Sequence, residues 1–297
     1  MAPQQSYTTA LDNSTNSSFP KAASDAESPI TFRAATLEED DVISRILCNA
    51  FLPLWNHNWF HCVSKAIRPV TIGRVNGEAP QMSKLQTSRV KFYRSLIRLT
   101  RLIGGSVMVA EVSSSGTANP VDKDFGAIIL WLPPFNRLSD IDIITMWRSG
   151  MLGLIFPWHY GLKGFYRIMM VFEANVHSMF SKTLPDLPPK GFKEQECAFV
   201  QMIASNPDYA GKGYASKLLK YQMDQHFAQH SDKPVILDTT THQGIRAYER
   251  LGFKLLAETA VTTDTDEKGI RLRNPVNEES RRRSKDTCVQ RVMAKLP

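Results

Sequence analysis

The sequence has only four cysteines, Cys48, Cys62, Cys197 and Cys288, and their spacing excludes several kinds of site. No Cys-x-x-Cys pair occurs, so neither a zinc ribbon nor a disulfide framework is supported. Scattered free thiols suit a reducing cytosol, and we predict a cytoplasmic location. His57-x-x-x-His61 would place two imidazoles on one helix face, but a pair without a third ligand is more typical of a polar helix face. We therefore predict no bound metal.

Long apolar runs are also missing. The most apolar run, Met151 to Trp158, is far shorter than the roughly 20 residues that a membrane-spanning helix needs, so no membrane partner is predicted. Residues 1–29 are rich in small and polar residues and in proline, and they contain neither the apolar core of a secretory signal nor an Arg-rich mitochondrial pattern. This composition predicts a disordered N-terminal tail.

The net charge of +7 is concentrated near the C-terminus. Eight Lys and Arg residues oppose three Asp and Glu residues from Ile270 to Pro297, and the Arg281–Arg283 cluster dominates that segment. No interleaved aromatic residues or nucleic-acid motif accompany the cluster. We predict a solvated loop before the last strand and no nucleic-acid partner.

A glycine-rich turn is the most informative segment. The apolar run Phe199–Ala204 predicts a strand, a Pro-Asp turn follows, and Gly211 and Gly213 come directly before a helical pattern. The first-turn N–H groups of a helix have no internal partner, so this point is suited to bind an anion, phosphate in particular. It is neither a Walker loop nor the dinucleotide fingerprint, whose third glycine would fall at Ser216.

Two motifs together carry a family resemblance. The first is Ala210-Gly-Lys-Gly-Tyr-Ala215, and the second is Tyr248-Glu-Arg-Leu-Gly-Phe253, which follows the short β-rich run Lys233–Asp238. Their sequence and spacing resemble the GNAT superfamily of N-acetyltransferases, and within it the puromycin-type and fungal small-molecule enzymes. Two positions depart from the family pattern: Ala210 stands where relatives have Gln or Arg, and Thr241 where many have Asn.

The resemblance implies an α/β fold with a central twisted mixed sheet flanked by helices. Its fourth and fifth strands are parallel and splay apart. Residues 30–297 would form one domain of this kind, with a helical insertion at about residues 135–190. Apolar residues recur in the insertion at helical spacing, which predicts core packing and, from the resemblance, a wall over the acceptor pocket. These residues are Phe165, Ile168, Met169, Phe172, Val176 and Met179.

The remaining pattern predicts the other elements of this domain. Thr36 and Glu39 form a capping-box pattern that predicts a helix through Asn49. The predicted helices are 36–49, 54–67 and 88–101, and the predicted strands are 30–35, 106–111, 125–132, 253–258 and 287–295, with a hairpin loop at Ser113–Pro120.

The resemblance also implies that acetyl-CoA binds in the gap between the splayed strands as a co-substrate. Backbone groups of Met202, Ile203 and Ala204 would pair with the pantetheine. Thr241 occupies the position that often faces the cofactor. The pyrophosphate would lie on the turn and the helix start, with Lys212 adding charge at the mouth. The residues of this turn are Ala210, Gly211, Lys212, Gly213, Tyr214, Ala215 and Ser216.

Tyr248 occupies the family's position for a general acid. A phenol with a pKa of about 10 stays protonated beside a thiol with a pKa of about 8.5, so it can protonate the leaving thiolate. The alternative is that Tyr248 only packs before the Gly252-Phe253 turn. For the base, Glu196 is the first candidate, and an alignment shift would move that role to Cys197. Glu173 and His177, at i, i+4, are the second candidate set, and a water relay needs no dedicated base.

The predicted function is acetyl transfer from acetyl-CoA to the amine of a small molecule, by direct attack on the thioester. One alternative is a non-catalytic acyl-CoA-binding or sensor module, which the changes at Ala210 and Thr241 favour and Tyr248 opposes. Another is a protein lysine or N-terminal acetyltransferase, which the apolar insertion opposes. A monomer or a homodimer is compatible with the sequence.

Overall fold

The computed structural model describes residues 30–78, 80–113, 124–137, 143–155, 161–272 and 278–297. The predicted tail at residues 1–29 and nearly all of the predicted loop at 113–120 lie outside these ranges. The strands are β1 (Ile30–Ala34), β2 (Ser106–Val112), β3 (Asp124–Leu132), β4 (Ala198–Ser205), β5 (Val235–Thr239), β6 (Lys254–Ala260) and β7 (Val289–Lys295). The α-helices are α1 (Asp40–Phe51), α2 (Trp55–Phe60), α3 (Lys84–Leu102), α4 (Ile143–Ser149), α5 (Met151–Ile155), α6 (Gly161–Phe165), α7 (Ala174–Thr183), α8 (Tyr214–Gln229), α9 (His242–Arg250) and α10 (Glu278–Thr287).

The seven strands form one mixed sheet in the order β1-β2-β3-β4-β5-β7-β6. Strands β4 and β5 are parallel, and the other neighbouring pairs are antiparallel. The β4–β5 pairing covers three residue pairs and ends at Val200 and Leu237, although both strands continue beyond it. The predicted α/β fold with splayed parallel strands is therefore confirmed, and the splay leaves a gap between the two strands on their C-terminal side.

Helices cover both faces of the sheet. On one face, α8 buries Tyr214, Leu218, Leu219 and Met223 in a core that includes residues from β3, β4 and β5. On the other face, α1, α3 and the helical insertion pack in a second core around Ile43, Ile97 and Phe180. The predicted strand–turn–helix–strand order from β4 to β5 is present, with α8 as the crossover.

Local capping explains where the helices before β2 begin. The Thr36 amide donates to Glu39 Oε2 at 2.8 Å, as the capping-box pattern predicts, and a short 3₁₀ turn (Leu37–Glu39) leads into α1. Helix α3 begins four residues earlier than predicted because Ser83 and Gln86 form a second capping box. Helix α2 ends at Phe60, not at residue 67, since Cys62 adopts a left-handed backbone conformation with φ 51°.

His57 lies in an aromatic cluster instead of on a polar helix face. Its side chain is buried, its Nδ1 is 2.9 Å from the Tyr93 hydroxyl, and its ring packs near Phe51 and Phe60. Burial, with the nearby Arg89 charge, holds the pKa of His57 well below its usual value. The sequence pattern did not reveal this burial because Phe51 and Tyr93 come from α1 and α3.

The described part of residues 135–190 is largely helical. Helices α6 and α7 are joined by a π-helix (Tyr166–Glu173), so the chain is helical from Gly161 to Thr183. Of the predicted apolar stripe, Phe172, Val176 and Met179 are buried in the core.

The basic segment before β7 forms a helix, α10, so the predicted loop is wrong where the structure describes it. Glu278 and Glu279 lie in the first turn, where negative charge stabilises a helix. Arg283 Nη1 is 2.9 Å from Glu279 Oε1, one helical turn away. These charge pairs at i, i+4 favour the helix over a loop.

All four cysteines are free thiols. Within the described residues, no helix has the length and apolar character needed to cross a membrane.

Candidate active site

A cavity of about 1500 Å³ opens where β4 and β5 separate. It lies between the sheet and the helical insertion, and most of its wall is apolar. Ligand cavities typically measure about 300–1000 Å³, so this one has room for two ligands side by side. Aromatic and Met residues of the wall include Phe51, Phe60, Phe92, Phe135, Met146, Met151, Phe165, Met169, Phe172, Phe180 and Met202.

The glycine turn has the geometry of an anion site. Gly211 and Gly213 have φ values of 83° and 73°, which only glycine adopts without strain, and open space surrounds the Cβ position of each. The first internal bond of α8 runs from the Lys217 amide to the Gly213 carbonyl at 3.0 Å. The amides of Tyr214, Ala215 and Ser216 therefore have no intrahelical partner, and together with the positive end of the helix dipole they favour an anion.

The side chains of the turn have different surroundings. Tyr214 is buried, and its ring fills the space beside Gly126, where a Cβ atom would come within 2.2 Å of Tyr214 Cδ2. Only its backbone is therefore available to a ligand. Lys212 is exposed, with Nζ 5.1 Å from the centroid of the Tyr209 ring. Ala210 lines the mouth of the cavity.

The predicted pantetheine strand lies along the cavity. Met202, Ile203 and Ala204 line it, and beyond Val200 the β5 side of β4 has no strand partner. A register shift in the β3–β4 pairing leaves Gln201 between two paired positions, and its Oε1 accepts a hydrogen bond from the Thr100 hydroxyl at 2.6 Å. Such a bulge changes the direction of a strand, which contributes to the splay.

Thr241 and Tyr248 line the same cavity from α9. Thr241 caps the helix, since its Oγ1 accepts a hydrogen bond from the Gly244 amide at 3.0 Å. The Tyr248 ring packs against Phe253 with ring centroids 5.9 Å apart, and no described residue forms a hydrogen bond with its hydroxyl. Burial, and then the charge of Asp238, raises the pKa of Tyr248, so the phenol keeps its proton.

Asp238 is a cavity residue that sequence reasoning missed. It follows Leu237, the last β5 residue that pairs with β4, so it stands where the gap begins. Burial, and then the Glu173 charge, raises the pKa of Asp238 to about 7, although the Arg137 charge opposes the shift. The available signal was a carboxylate at the end of an apolar run, because ligands bind at the carboxyl ends of parallel strands.

The second candidate set, Glu173 and His177, also lines the cavity. Burial among protein groups raises the pKa of Glu173. His177 Nδ1 is 2.6 Å from Glu194 Oε2, and Glu194 also forms an ion pair with Arg137, whose guanidinium lies 4.1 Å from the centroid of the Phe199 ring. Glu194 therefore pairs with both His177 and Arg137, and it does not pair with Glu173.

The structure does not bring Glu196 or Cys197 to the cavity wall. Glu196 Oε2 accepts a hydrogen bond from the Lys193 amide at 2.8 Å, and its Oε1 lies 3.8 Å from Lys233 Nζ. The Lys193 amide is the main cause of the lowered pKa of Glu196, which makes it a weaker base. Cys197 is fully buried, and burial raises the pKa of its thiol to about 12.

Comparison with known proteins agrees with this arrangement. Residues 158–253 match the model of the Acetyltransferase (GNAT) family. That range covers β4, the glycine turn, α8, β5 and α9, which are the elements around the gap. A search of curated protein sequences gave no significant match.

Several solved structures align with this chain over nearly its whole length. The C-terminal condensation domain of Ebony, in complex with beta-alanyl-dopamine, aligns with a TM-score of 0.53 and 10% identity over 91% of this chain and 100% of that one. Mosquito arylalkylamine N-acetyltransferase like 5b has a TM-score of 0.48, 18% identity and the same coverage. Drosophila melanogaster polyamine N-acetyltransferase has a TM-score of 0.48 and 12% identity, again with the same coverage.

Residues 158–253, which include the gap between β4 and β5, are therefore similar to the GNAT acetyltransferases.

Proposed function

We propose that this protein transfers the acetyl group of acetyl-CoA to the amine of a small molecule. The observation that carries the proposal is the shared cavity at the gap between β4 and β5. Its wall includes Ala210, next to the glycine turn with its unpaired amides, the free edge of β4, and Tyr248. The cavity is large enough for a second ligand.

The residues along the path suit the parts of acetyl-CoA. The amides of Gly211, Gly213, Tyr214, Ala215 and Ser216 would hold the pyrophosphate, whereas the Lys212 amide already donates to the Tyr209 carbonyl. Met202 to Ala204 would offer backbone groups to the pantetheine amides. Lys212, being exposed beside the turn, would add positive charge at the mouth. The Thr241 hydroxyl oxygen caps α9, so Thr241 would contribute to cofactor binding by forming part of the cavity wall. No metal is part of this proposal.

Tyr248 is the proposed general acid. Its phenol keeps its proton at every physiological pH because its pKa is raised, and its hydroxyl has no competing protein partner among the described residues. A donor of this kind can protonate the thiolate that leaves when the amine attacks the thioester carbon. Glu196 lies outside the cavity wall and carries a lowered pKa, so the proposal does not route the amine proton through it.

The apolar character of the cavity favours a small-molecule acceptor over a protein. Its wall is mostly apolar, with aromatic and Met side chains from the insertion and from α1 to α3, whereas a peptide-binding groove needs polar surface for the chain. A non-catalytic acyl-CoA-binding module would not need the unpaired Tyr248 hydroxyl or the Asp238 carboxyl group. The proposal also includes a nearer likeness to puromycin-type and fungal enzymes and a cytoplasmic location. It further includes a monomeric or homodimeric state, without nucleic-acid or membrane partners.

The experiment is a CoA-release assay with acetyl-CoA and a panel of amines, run beside calorimetry of acetyl-CoA binding. We expect binding of acetyl-CoA and release of CoA that depends on an amine. Binding without release for any amine in the panel would favour the sensor alternative. Absence of binding would contradict both.

A further inference from the structure

We propose that Asp238 and Glu173 form the site for the ammonium group of the acceptor, and that Asp238 accepts its proton before attack. This inference rests on the proposed function and names the groups that receive the amine. The two carboxylates both line the cavity and come from different elements, Asp238 from β5 and Glu173 from the π-helix of the insertion.

The position of Asp238 is the first argument. It is the first residue of β5 beyond the last pair with β4, so its side chain stands at the start of the gap into which the thioester would extend. Tyr248 is close enough for the Asp238 charge to raise the pKa of its phenol. A proton acceptor and a proton donor thus lie beside the same point of the cavity.

The second argument is that these two carboxylates lack a cation of their own. Neither forms an ion pair with any residue that the structure describes. The nearest positive group, Arg137, is in an ion pair with Glu194 and lies over the Phe199 ring. Two like charges in a partly desolvated wall are unfavourable, and a bound ammonium would relieve them.

Every charged group that faces Asp238 is consistent with this assignment. Burial and the Glu173 charge raise the pKa of Asp238, Arg137 lowers it, and Tyr248 is neutral. Arg291 of β7 is opposite Thr239 in the register, so it extends from the other face of β5, where it binds Glu258. The resulting pKa of about 7 suits a base that works near neutral pH.

The proton steps balance. The ammonium donates one proton to the Asp238 carboxylate and becomes a neutral amine. The amine nitrogen then forms a bond with the thioester carbon while the carbon–sulfur bond breaks, and Tyr248 donates its proton to the sulfur. The second proton lost from nitrogen restores the Tyr248 hydroxyl, and Asp238 releases the first proton to solvent.

The rest of the cavity wall limits the kind of amine. Beyond the two carboxylates, the charged side chains of the wall are Lys193 and the paired Glu194 and Arg137, with His177 also on Glu194. The rest of the wall is mostly apolar and includes many aromatic and Met side chains. We therefore expect an acceptor with one cationic group and a bulky apolar body. A polyamine would place its second charge against apolar side chains, at a desolvation cost.

The test uses Asp238→Asn and Glu173→Gln, with Asp232→Asn as the control because Asp232 is an exposed carboxylate near the start of β5. The probes are 2-phenylethylamine, 1-naphthylmethylamine and spermidine, and the amine with the highest turnover in the parent is used throughout. We expect an aromatic monoamine to exceed spermidine by about tenfold or more in kcat/KM. A preference for spermidine would contradict the single-charge site.

The pH profile separates a base from a structural carboxylate. In the parent, a plot of kcat/KM against pH should show a rising limb near pH 7. Asp238→Asn should lack this limb, and its turnover should be about a hundredfold lower. Glu173→Gln should move the limb to lower pH, because the Glu173 charge is one cause of the high pKa of Asp238, and should raise KM about tenfold. Asp232→Asn should leave limb and turnover unchanged.

Melting curves and acetyl-CoA calorimetry accompany each variant, and Asp238→Ser, which also lacks the carboxylate, replaces Asp238→Asn if the latter does not fold. Turnover and pH limb within twofold of the parent in a folded Asp238 variant would overturn this inference and leave the proposed function standing. A parent that binds acetyl-CoA but acetylates no amine would overturn the proposed function and this inference together.

Discussion

The carboxyl group of Asp238 and the phenol of Tyr248 face one cavity from consecutive elements, β5 and α9, and the Asp238 charge contributes to the raised pKa of Tyr248. The pair thus joins a carboxylic acid that titrates near neutral pH with a phenol that does not titrate there. Groups whose pKa values are pushed apart in one site are suited to opposite proton transfers.

Tyr248→Phe should lower kcat by about 10²- to 10⁴-fold, the usual contribution of a positioned acid. The ring and its contact with Phe253 remain, so the melting temperature, the affinity for acetyl-CoA and the apparent KM should stay close to those of the parent. Single-turnover acetyl transfer is the measurement. Tyr221→Phe is the control, because Tyr221 packs on Phe32 away from the cavity wall. Equal rates in parent and Tyr248→Phe would mean that the ring only packs.

Asp238→Asn should stabilise the fold, and more so at higher pH. The folded-state pKa of about 7 lies above the ordinary value of 3.8, so between these values the folded chain keeps a proton that the unfolded chain has lost. Stability from this group is therefore present at low pH and falls as pH rises toward 7, by up to about 4 kcal/mol at 1.36 kcal/mol per pKa unit.

Denaturant unfolding at about pH 5 and about pH 8 measures this effect. The gain of Asp238→Asn over the parent should be larger at the higher pH. The exposed carboxyl group of Asp232 provides the control, since Asp232→Asn should give no gain that grows with pH. A gain that is equal at both pH values would show that the Asp238 carboxyl group has an ordinary pKa.

Gly213→Asp should abolish acetyl-CoA binding. The new carboxylate would stand beside the unpaired amides and repel the phosphates, and φ 73° adds backbone strain of about 1–2 kcal/mol. Gly161→Asp is a matched control, because Gly161 also has a positive φ, 63°, and open space at Cβ, but lies at the start of α6. It should lose similar stability and keep its affinity. Calorimetry that finds parental affinity in Gly213→Asp would remove the turn from the cofactor site.

Deletion of residues 1–29 should change the melting temperature by no more than about 2 °C. The composition of this segment offers little apolar surface to bury, so no packed contact should be lost. Differential scanning calorimetry of the shortened chain compares directly with the parent. A fall of more than about 5 °C would mean that the segment docks on the domain.

Local sequence signals predicted much of the fold. The glycine turn, the capping box at Thr36 and the alternating or apolar runs of the strands depend on residues close in sequence, and the structure contains these elements near their predicted bounds. The resemblance supplied the order and the splay of β4 and β5, which propensity alone does not determine. The end of α2 was missed because it depends on the left-handed backbone of Cys62, which the sequence does not indicate. The start of α3 is indicated in the sequence by the Ser83–Gln86 capping-box pattern, which the prediction of residues 88–101 did not use.

The candidate site was only half predictable. Tyr248 and the turn belong to contiguous motifs, whereas the approach of Glu173 to Asp238 depends on how the insertion folds over the sheet. Burial and the nearby Glu173 charge together raise the pKa of Asp238, so no short sequence pattern predicts the raised value. Glu196 was chosen as a candidate because it lies close to β4 in the sequence, but the fold does not bring it to the cavity wall.

The Tyr214 ring beside Gly126 has a thermodynamic consequence. It fixes the first residue of α8 near the start of β3, so we expect the unpaired amides of the turn to be held in one arrangement whether or not an anion is present. A loop that had to order itself around a phosphate would lose conformational entropy on binding. Here folding has already restricted the turn, so anion binding should have a small entropic penalty and a rapid on-rate.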